Sequence, residues 1–294
     1  RRIAAPAPDE HHEEAYAVGD KKESVRPLSA LMGVVFVMDT RETAGEFGFE
    51  LALAAQLEAT ETLVSRQLGV AVHGRRVMDL VCIEPTAAFD ERVALTAESI
   101  PAAAIESDVG PGRARYWKSA FDCHPERAER AVERALACGF FEAERRNGRT
   151  YVRQVTRYPD WVDRVTGIEN KPDLDRRAAD ALADQLERDV ALGLGDEAWV
   201  ATRAAGDRVE PALLEDLPVE AGVLVFDGGE PTVTWHAAAL DPGLQGTRIL
   251  DRPGGGSRDR SPARFEYVAP EEKALARLAV AERVYGRGWR SYAD

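Results

Sequence analysis

The sequence predicts an α/β protein whose core is interrupted by an inserted module. Three observations support this class. Helical and strand-like hydrophobic periods alternate between residues 46 and 240. The second strand is almost wholly apolar, as is typical of a buried central strand. A helix followed at once by an Asn-Gly hairpin separates the early strands from the later ones. Without residues 85–160, the predicted order begins helix, strand, strand, strand, helix, strand.

The first 44 residues show no sustained helical or strand period, and we expect them to be disordered. The chain starts with Arg1 rather than methionine. Because Met38 directly precedes the first convincing element, one hypothesis is that translation starts there and that the upstream stretch is leader sequence.

The core begins with a helix and two strands. Apolar residues recur at helical spacing between Glu46 and Ala59 among good helix formers. Two strands are predicted next, Leu63–Val72 and Arg76–Ile83, joined by a turn at residues 73–74. The second of these strands is apolar except for Asp79, which needs a separate explanation.

The insertion has an irregular part and a regular part. Residues 85–121 carry turn chemistry and suggest no regular element. A helix is then predicted from Pro125 to Cys138, followed by strands Phe140–Arg145 and Thr150–Val155 around Asn147-Gly148. A helix with a two-stranded wing is typical of a winged-helix module.

The core resumes after the insertion. The predicted elements are a strand Val165–Lys171, a helix Leu174–Leu194, a strand Glu197–Arg203 and a hairpin of Gly222–Phe226 with Thr232–Ala237. Residues 241–262 are rich in Gly, Pro, Arg and Asp and predict a linker. A final helix is predicted from Pro270 to Tyr285.

The composition indicates adaptation to high salt. The net charge is −13, and only five of the 38 basic residues are lysines. A carboxylate-rich surface stays hydrated in concentrated salt, and arginine keeps its contacts there. At about 1 M salt the Debye length is only ~3 Å, so the overall charge does not exclude a nucleic-acid partner.

Other chemical signals mainly exclude alternatives. Three cysteines do not form a disulfide framework, and Cys123, His124 and Cys138 lack a fourth ligand at zinc-site spacing. The longest apolar run, residues 28–38, is too short to span a bilayer. We therefore expect a cytoplasmic protein without zinc.

The candidate chemical centre consists of Asp79, Glu169 and Lys171. Alternate residues of a strand share a face, so Glu169 and Lys171 should point the same way and Asn170 the other way. Charges on buried strands are costly unless they are paired or bind an ion. If their strands are neighbours, Asp79 and Glu169 can hold one Mg²⁺ or Mn²⁺ while Lys171 assists a nucleophilic water. The alternative is a core ion pair between Lys171 and a carboxylate.

Asp79 with Glu169-Asn170-Lys171 resembles the PD-(D/E)XK superfamily, the restriction-endonuclease-like nucleases. That resemblance implies an αβββαβ core, hydrolysis of DNA phosphodiester bonds and a magnesium cofactor. It also assigns roles to an acidic residue on the first helix, here Glu50, and to a glutamine on the helix after the lysine, here Gln185. More narrowly, residues 157–161 and 167–174 resemble a haloarchaeal family of unassigned function.

The match departs from the superfamily pattern in its spacing. Asp79 lies ninety residues before Glu169, so the whole insertion must loop out between adjacent strands. Asp160, in a literal Pro-Asp pair, competes for the role of first metal ligand. Asp79 is favoured because residues 159–163 begin like a helical turn and have no apolar strand around Asp160.

The predicted wing is locally basic. Residues 140–157 contain five arginines against two glutamates, and the candidates for DNA contact are Arg145, Arg146, Arg149 and Arg153. The alternative is a solvated hairpin with cross-strand ion pairs. The sequence thus favours a metal-dependent DNA nuclease; the second hypothesis is an inactive nuclease-fold protein that regulates by binding DNA.

Overall fold

The computed structural model describes residues 45–58, 62–69, 77–95, 100–110, 113–155, 158–203, 211–251 and 264–286. Met38, the turn at residues 73–74 and Arg157 lie outside these ranges. The elements in chain order are α1 (Glu46–Glu58), β1 (Leu63–Gly69), β2 (Val77–Pro85), α2 (Phe89–Leu95), α3 (Ala102–Ile105), β3 (Arg115–Tyr116), α4 (Pro125–Ala137), β4 (Phe141–Arg146), β5 (Arg149–Gln154), β6 (Val162–Asn170), α5 (Arg176–Leu192), β7 (Glu197–Thr202), α6 (Pro211–Leu214), β8 (Gly222–Val225), β9 (Thr232–Trp235), β10 (Gly246–Asp251), β11 (Arg264–Val268) and α7 (Pro270–Gly286).

A mixed six-stranded sheet forms the centre of the molecule, in the order β1-β2-β6-β7-β8-β9. Strands β1, β2 and β6 are antiparallel neighbours, β6, β7 and β8 run parallel, and β9 is antiparallel to β8. The predicted α/β class is therefore confirmed. The parallel pair β6 and β7 is connected through α5, as a parallel connection requires.

Helices cover both faces of this sheet. Phe49 and Leu53 of α1 are buried against Leu80 and Ile168 on one face. Helix α7 packs on the other face against residues that include Val81 and Val165. Helix α5 covers the β7–β8 part of that second face through Ala179, Leu182 and Leu186.

The insertion forms a structure with its own sheet and apolar cluster. Its three strands are ordered β3-β5-β4, and Val132, Phe140 and Val152 are among the residues buried together. The predicted helix and hairpin are confirmed as α4, β4 and β5. Asn147 and Gly148 have φ values of +50° and +75°, as a type I′ turn requires.

A buried ion pair ties the insertion to the C-terminal helix. The guanidinium of Arg92 in α2 donates to both carboxylate oxygens of Glu282 in α7, at 2.7 and 2.6 Å, and both side chains are fully buried. The indole of Trp161 also donates to Glu282, at 3.0 Å. Burial raises the pKa of Glu282, and Arg92 opposes that shift. Removing either charge would leave the other buried and uncompensated.

Three sequence-based expectations were wrong. Residues 85–121 contain α2, α3 and β3 rather than only irregular chain. Residues 159–163 form no helical turn, because β6 already begins at Val162. The expected linker at 241–262 contains β10, which pairs with β11, and the ammonium of Lys273 donates to the carbonyl of Leu244 at 2.9 Å beside it. Within the described residues, no helix combines the length and apolar character needed to cross a bilayer.

Candidate functional site

Asp79 lies beside the Glu169-Asn170-Lys171 segment. Leu80 and Ile168 are the last pair in the antiparallel ladder of β2 and β6 at this end, and Asp79 and Glu169 are the next residues beyond that pair. The carboxylate of Asp79 accepts the backbone N–H of Asn170 at 2.9 Å. At this end of β2 and β6, the Asp79 side chain therefore takes the place of a backbone acceptor between the two strands. The insertion does loop out between adjacent strands, because it connects the far ends of β2 and β6.

Glu50 is linked to Asp79 through one glutamine. The amide of Gln67 donates to Glu50 at 2.9 Å and to Asp79 at 3.2 Å. Arg66 donates to the other oxygen of Glu50 at 2.7 Å. Gln67 has a φ of +49°, a left-handed conformation that is uncommon for a residue other than glycine. This irregular point of β1 brings the Gln67 side chain to both carboxylates. Gln67 therefore holds the Asp79 carboxylate, and Glu50 in turn holds Gln67.

Glu169 is buried near the end of β6, with 4% of its surface exposed. Ile168 packs against α1 while Val165 packs on the α7 face. Alternation along the strand therefore directs Asn170 towards α1 and Glu169 away from it. Asp79 and Glu169 thus lie at the same end of two neighbouring strands, just beyond the last paired residues.

Lys171 departs from the predicted geometry. Strand β6 ends at Asn170, one residue earlier than predicted, and Pro172 follows Lys171. The Lys171 ammonium lies 3.4 Å from a carboxylate oxygen of Glu46 in the first turn of α1. Its ammonium is therefore on the α1 side of the sheet, whereas the prediction placed it on the same face as Glu169. Lys171 does pair with a carboxylate, as the alternative interpretation expected, but the pair is partly exposed and lies just beyond the end of β6 rather than in the core.

Asn170 is a feature of this site that the sequence argument missed. It has no exposed surface, and neither atom of its side-chain amide has a hydrogen-bond partner among the described residues. Leaving a buried polar group unpaired costs about 1–3 kcal/mol. The signal was present in the sequence: alternation placed a polar side chain on a face whose neighbouring positions are apolar.

Two candidates lie away from the site. Asp160 precedes β6 and is therefore at the opposite end of that strand from Glu169, where its carbonyl accepts the Thr86 hydroxyl at 2.8 Å. It lines an open cleft of about 840 Å³ against the start of α7. Gln185 is exposed on α5. Of the two possible first ligands, only Asp79 is next to the Glu169 segment.

The donor set fits a hard cation held by few protein ligands. Within the described ranges, no group of three or more His, Cys, Asp or Glu side chains is arranged to hold a metal ion. Magnesium in phosphate-processing sites commonly uses one or two carboxylates, with water and substrate oxygens completing its shell. Asp79 keeps part of its surface in solvent and uses one hydrogen bond per oxygen, so its carboxylate retains lone pairs for a cation.

The arginines of the wing differ in their partners. Arg153 pairs with Glu142 at 2.8 Å, and Arg146 pairs with Glu144. The Arg149 guanidinium stacks over the Tyr116 ring at 5.4 Å. In the part of the chain that the structure describes, Arg145 and Arg149 have no carboxylate partner, so they carry the uncompensated charge of this hairpin.

A protein-family model matches residues 63–294, which is more than half of the chain; its description is "Family of unknown function (DUF5787)". No curated protein and no solved structure matches the chain.

Proposed function

The chain belongs to the DUF5787 family, and we propose that it is a metal-dependent nuclease of the PD-(D/E)XK type that hydrolyses DNA phosphodiester bonds. The observation that carries this proposal is the contact of Asp79 with the backbone of Asn170, within the Glu169-Asn170-Lys171 segment. It joins the two halves of the motif across ninety residues of sequence.

The order of the core elements supports the proposal. Once the insertion is left out, the chain runs α1, β1, β2, β6, α5, β7, which is the αβββαβ order of that superfamily. The two strands that carry the motif are neighbours in the sheet. Fold alone does not establish chemistry, so the proposal depends on the side chains at the end of β2 and β6.

The side chains divide the work of hydrolysis between them. Asp79 and Glu169 would hold a Mg²⁺ or Mn²⁺ ion, which when bound lowers the pKa of water and offsets phosphate charge. Glu50 and Gln67 keep the Asp79 carboxylate oriented. Lys171 binds a phosphate oxygen in place of Glu46 and stabilises the charge that develops as the water oxygen bonds to phosphorus and the ester bond breaks.

A second function is favoured by one observation. Both oxygens of Glu50 are occupied by Arg66 and Gln67, and Lys171 is paired with Glu46. A site whose charges neutralise each other in this way also suits a protein that has the fold but binds DNA without cutting it. The uncompensated arginines of the wing would then make the functional contacts.

Cleavage of linear and branched DNA with Mn²⁺ in about 1 M salt tests the nuclease proposal. Replacing Lys171 with alanine should lower the cleavage rate by about 10²-fold or more, because one stabilising charge is lost from the transition state. DNA binding, measured by fluorescence anisotropy, should persist. Lys118→Ala is the matched control, because Lys118 is an exposed lysine on the insertion.

Cleavage by the wild-type chain that Lys171→Ala leaves unchanged would refute the assigned role of Lys171. Binding without cleavage under any tested metal would refute the nuclease proposal and favour the regulator.

A further inference from the structure

The side chain of Asn170 presents an unexplained pair of polar atoms. The residue is fully buried, and both Oδ1 and Nδ2 lack a partner among the described residues. Buried amides in folded proteins are nearly always paired with protein groups, water or an ion. An amide that finds no partner among the described residues therefore suggests a ligand at this position.

The position of this amide limits what the partner is. The Asn170 backbone nitrogen is bound by the Asp79 carboxylate at 2.9 Å. Covalent geometry keeps the amide within roughly 5 Å of its own backbone nitrogen. Asn170 points towards α1, and the Asp79 carboxylate is tied through Gln67 to Glu50 of that helix. The amide and the carboxylate therefore approach each other on the α1 side of the strand end.

The charges at this position favour a cation. Arg66 pairs with Glu50, Lys171 pairs with Glu46, and Arg203 contacts the start of α1. Of the carboxylates described on this side, that of Asp79 is therefore the one left to hold a cation. An amide oxygen is a ligand that hard divalent cations accept together with carboxylates. Asp79 is partly exposed, so an ion from solvent can reach its carboxylate. The buried Asn170 amide would then be a second ligand on the protein side of that ion.

We propose that Oδ1 of Asn170 is a direct ligand of the divalent cation held by Asp79, a neutral oxygen supplied from the α1 side of the sheet. This inference rests on the proposed metal-dependent function and adds a residue to its site; Glu169, which is directed away from α1, would then reach the same ion through a bound water. Nδ2 of the same amide can then donate to an oxygen of the DNA phosphate that is bound to the same cation.

The test measures Mn²⁺ binding alone, by titration calorimetry and by the Mn²⁺-induced shift in melting temperature of the full chain. Asn170→Leu should melt at the same or a higher temperature than wild type without metal, because an unpaired amide is removed. Its affinity for Mn²⁺ should fall by about tenfold or more, because a ligand is lost. Asp79→Ala should lose Mn²⁺ binding altogether.

Thr166→Val is the matched control. The Thr166 hydroxyl is also buried and has no partner among the described residues. It is on the same face of β6 as Asn170, four residues away, which is about 13 Å along the strand. This variant should bind Mn²⁺ with wild-type affinity.

Unchanged Mn²⁺ affinity in Asn170→Leu, with binding abolished in Asp79→Ala, would overturn this inference and leave the nuclease proposal standing. Unchanged affinity in Asp79→Ala would overturn the metal site itself. If Asn170→Leu does not fold, Asn170→Asp decides: a carboxylate at a ligand position raises Mn²⁺ affinity, whereas unchanged or weaker binding overturns the assignment.

Discussion

At the scale of single residues, the protein buries several charges and pairs most of them. Arg164 and Glu197 form a 2.6 Å pair, and the Trp199 indole donates to the other oxygen of Glu197. Glu84 is the exception. In the described part of the chain, one of its buried oxygens has no hydrogen-bond partner, and the Arg164 guanidinium is 3.6 Å from that oxygen.

Burial raises the pKa of Glu84 to about 7; Arg164 opposes the shift, and Asp163, Glu197 and Asp196 add to it. Because this pKa is above its ordinary value of 4.5, the fold favours the protonated carboxyl. The resulting stability is fully present below about pH 4.5 and is lost as pH rises to about 7.

Glu84→Gln should therefore stabilise the protein at pH 8, by on the order of 1–2 kcal/mol, because the side chain no longer ionises in its buried position. The difference from wild type should shrink as pH falls to 4.5. Urea unfolding at a series of pH values measures this. Glu230→Gln, at an exposed loop position, should show no such trend. A difference that stays constant with pH would contradict the prediction.

At the scale of elements, local sequence signals set most boundaries. Helix α5 starts where the Asp175 side chain accepts the backbone N–H of Ala178 at 2.7 Å. It ends at Gly193, whose φ of +58° suits glycine. Strand β6 shows the opposite case. Its burial pattern is almost uniform from Arg164 to Asn170, so no alternation in the sequence marks where it begins.

Asp175→Ala should lower the free energy of unfolding by about 1 kcal/mol, because the first turn of α5 loses its capping acceptor. Asp173→Ala is the control, since Asp173 is exposed and contributes only its backbone carbonyl to this turn. Chemical denaturation of both variants measures the difference. Equal losses in the two would show that the cap does not stabilise α5.

At the scale of the whole molecule, the insertion joins the central strands β2 and β6 at the end opposite to the candidate site. Strand β2 begins near Asp79 and runs into the insertion at Pro85, and β6 returns from it to Glu169. The nine residues of β6 span about 26 Å. A DNA duplex that contacted the protein at both ends of β6 would therefore have to be at least about eight base pairs long, at 3.4 Å for each pair.

The double variant Arg145→Ala/Arg149→Ala should weaken DNA binding and reduce the dependence of log affinity on log salt concentration by about two units, because two phosphate contacts are lost. Arg153→Ala should change the slope less, since Glu142 already neutralises that guanidinium. Fluorescence anisotropy over a salt series separates the two outcomes. Equal slopes for wild type and the double variant would exclude this hairpin from the DNA contact.

Much of the fold could be predicted because helices, turns and hairpins depend on neighbours in sequence. The Asn147-Gly148 turn, α4, α5 and the β8–β9 hairpin follow from spacing and turn chemistry. Strand β10 could not be predicted in this way. It lies in a segment, residues 241–262, that is rich in Gly, Pro, Arg and Asp, and it is stabilised by pairing with β11 and by the buried Lys273, which are tertiary contacts.

The sequence by itself determined the α/β class, the presence of an inserted helix and hairpin, and the residue types at the candidate site. Only the tertiary structure decided which aspartate contacts the Glu169-Asn170-Lys171 segment, that Lys171 turns to Glu46, and that the Asn170 amide has no partner among the described residues. The physical reason is range. Periodicity and turn preference act over a few residues, whereas pairing across ninety residues and the satisfaction of buried polar groups depend on how the whole chain packs.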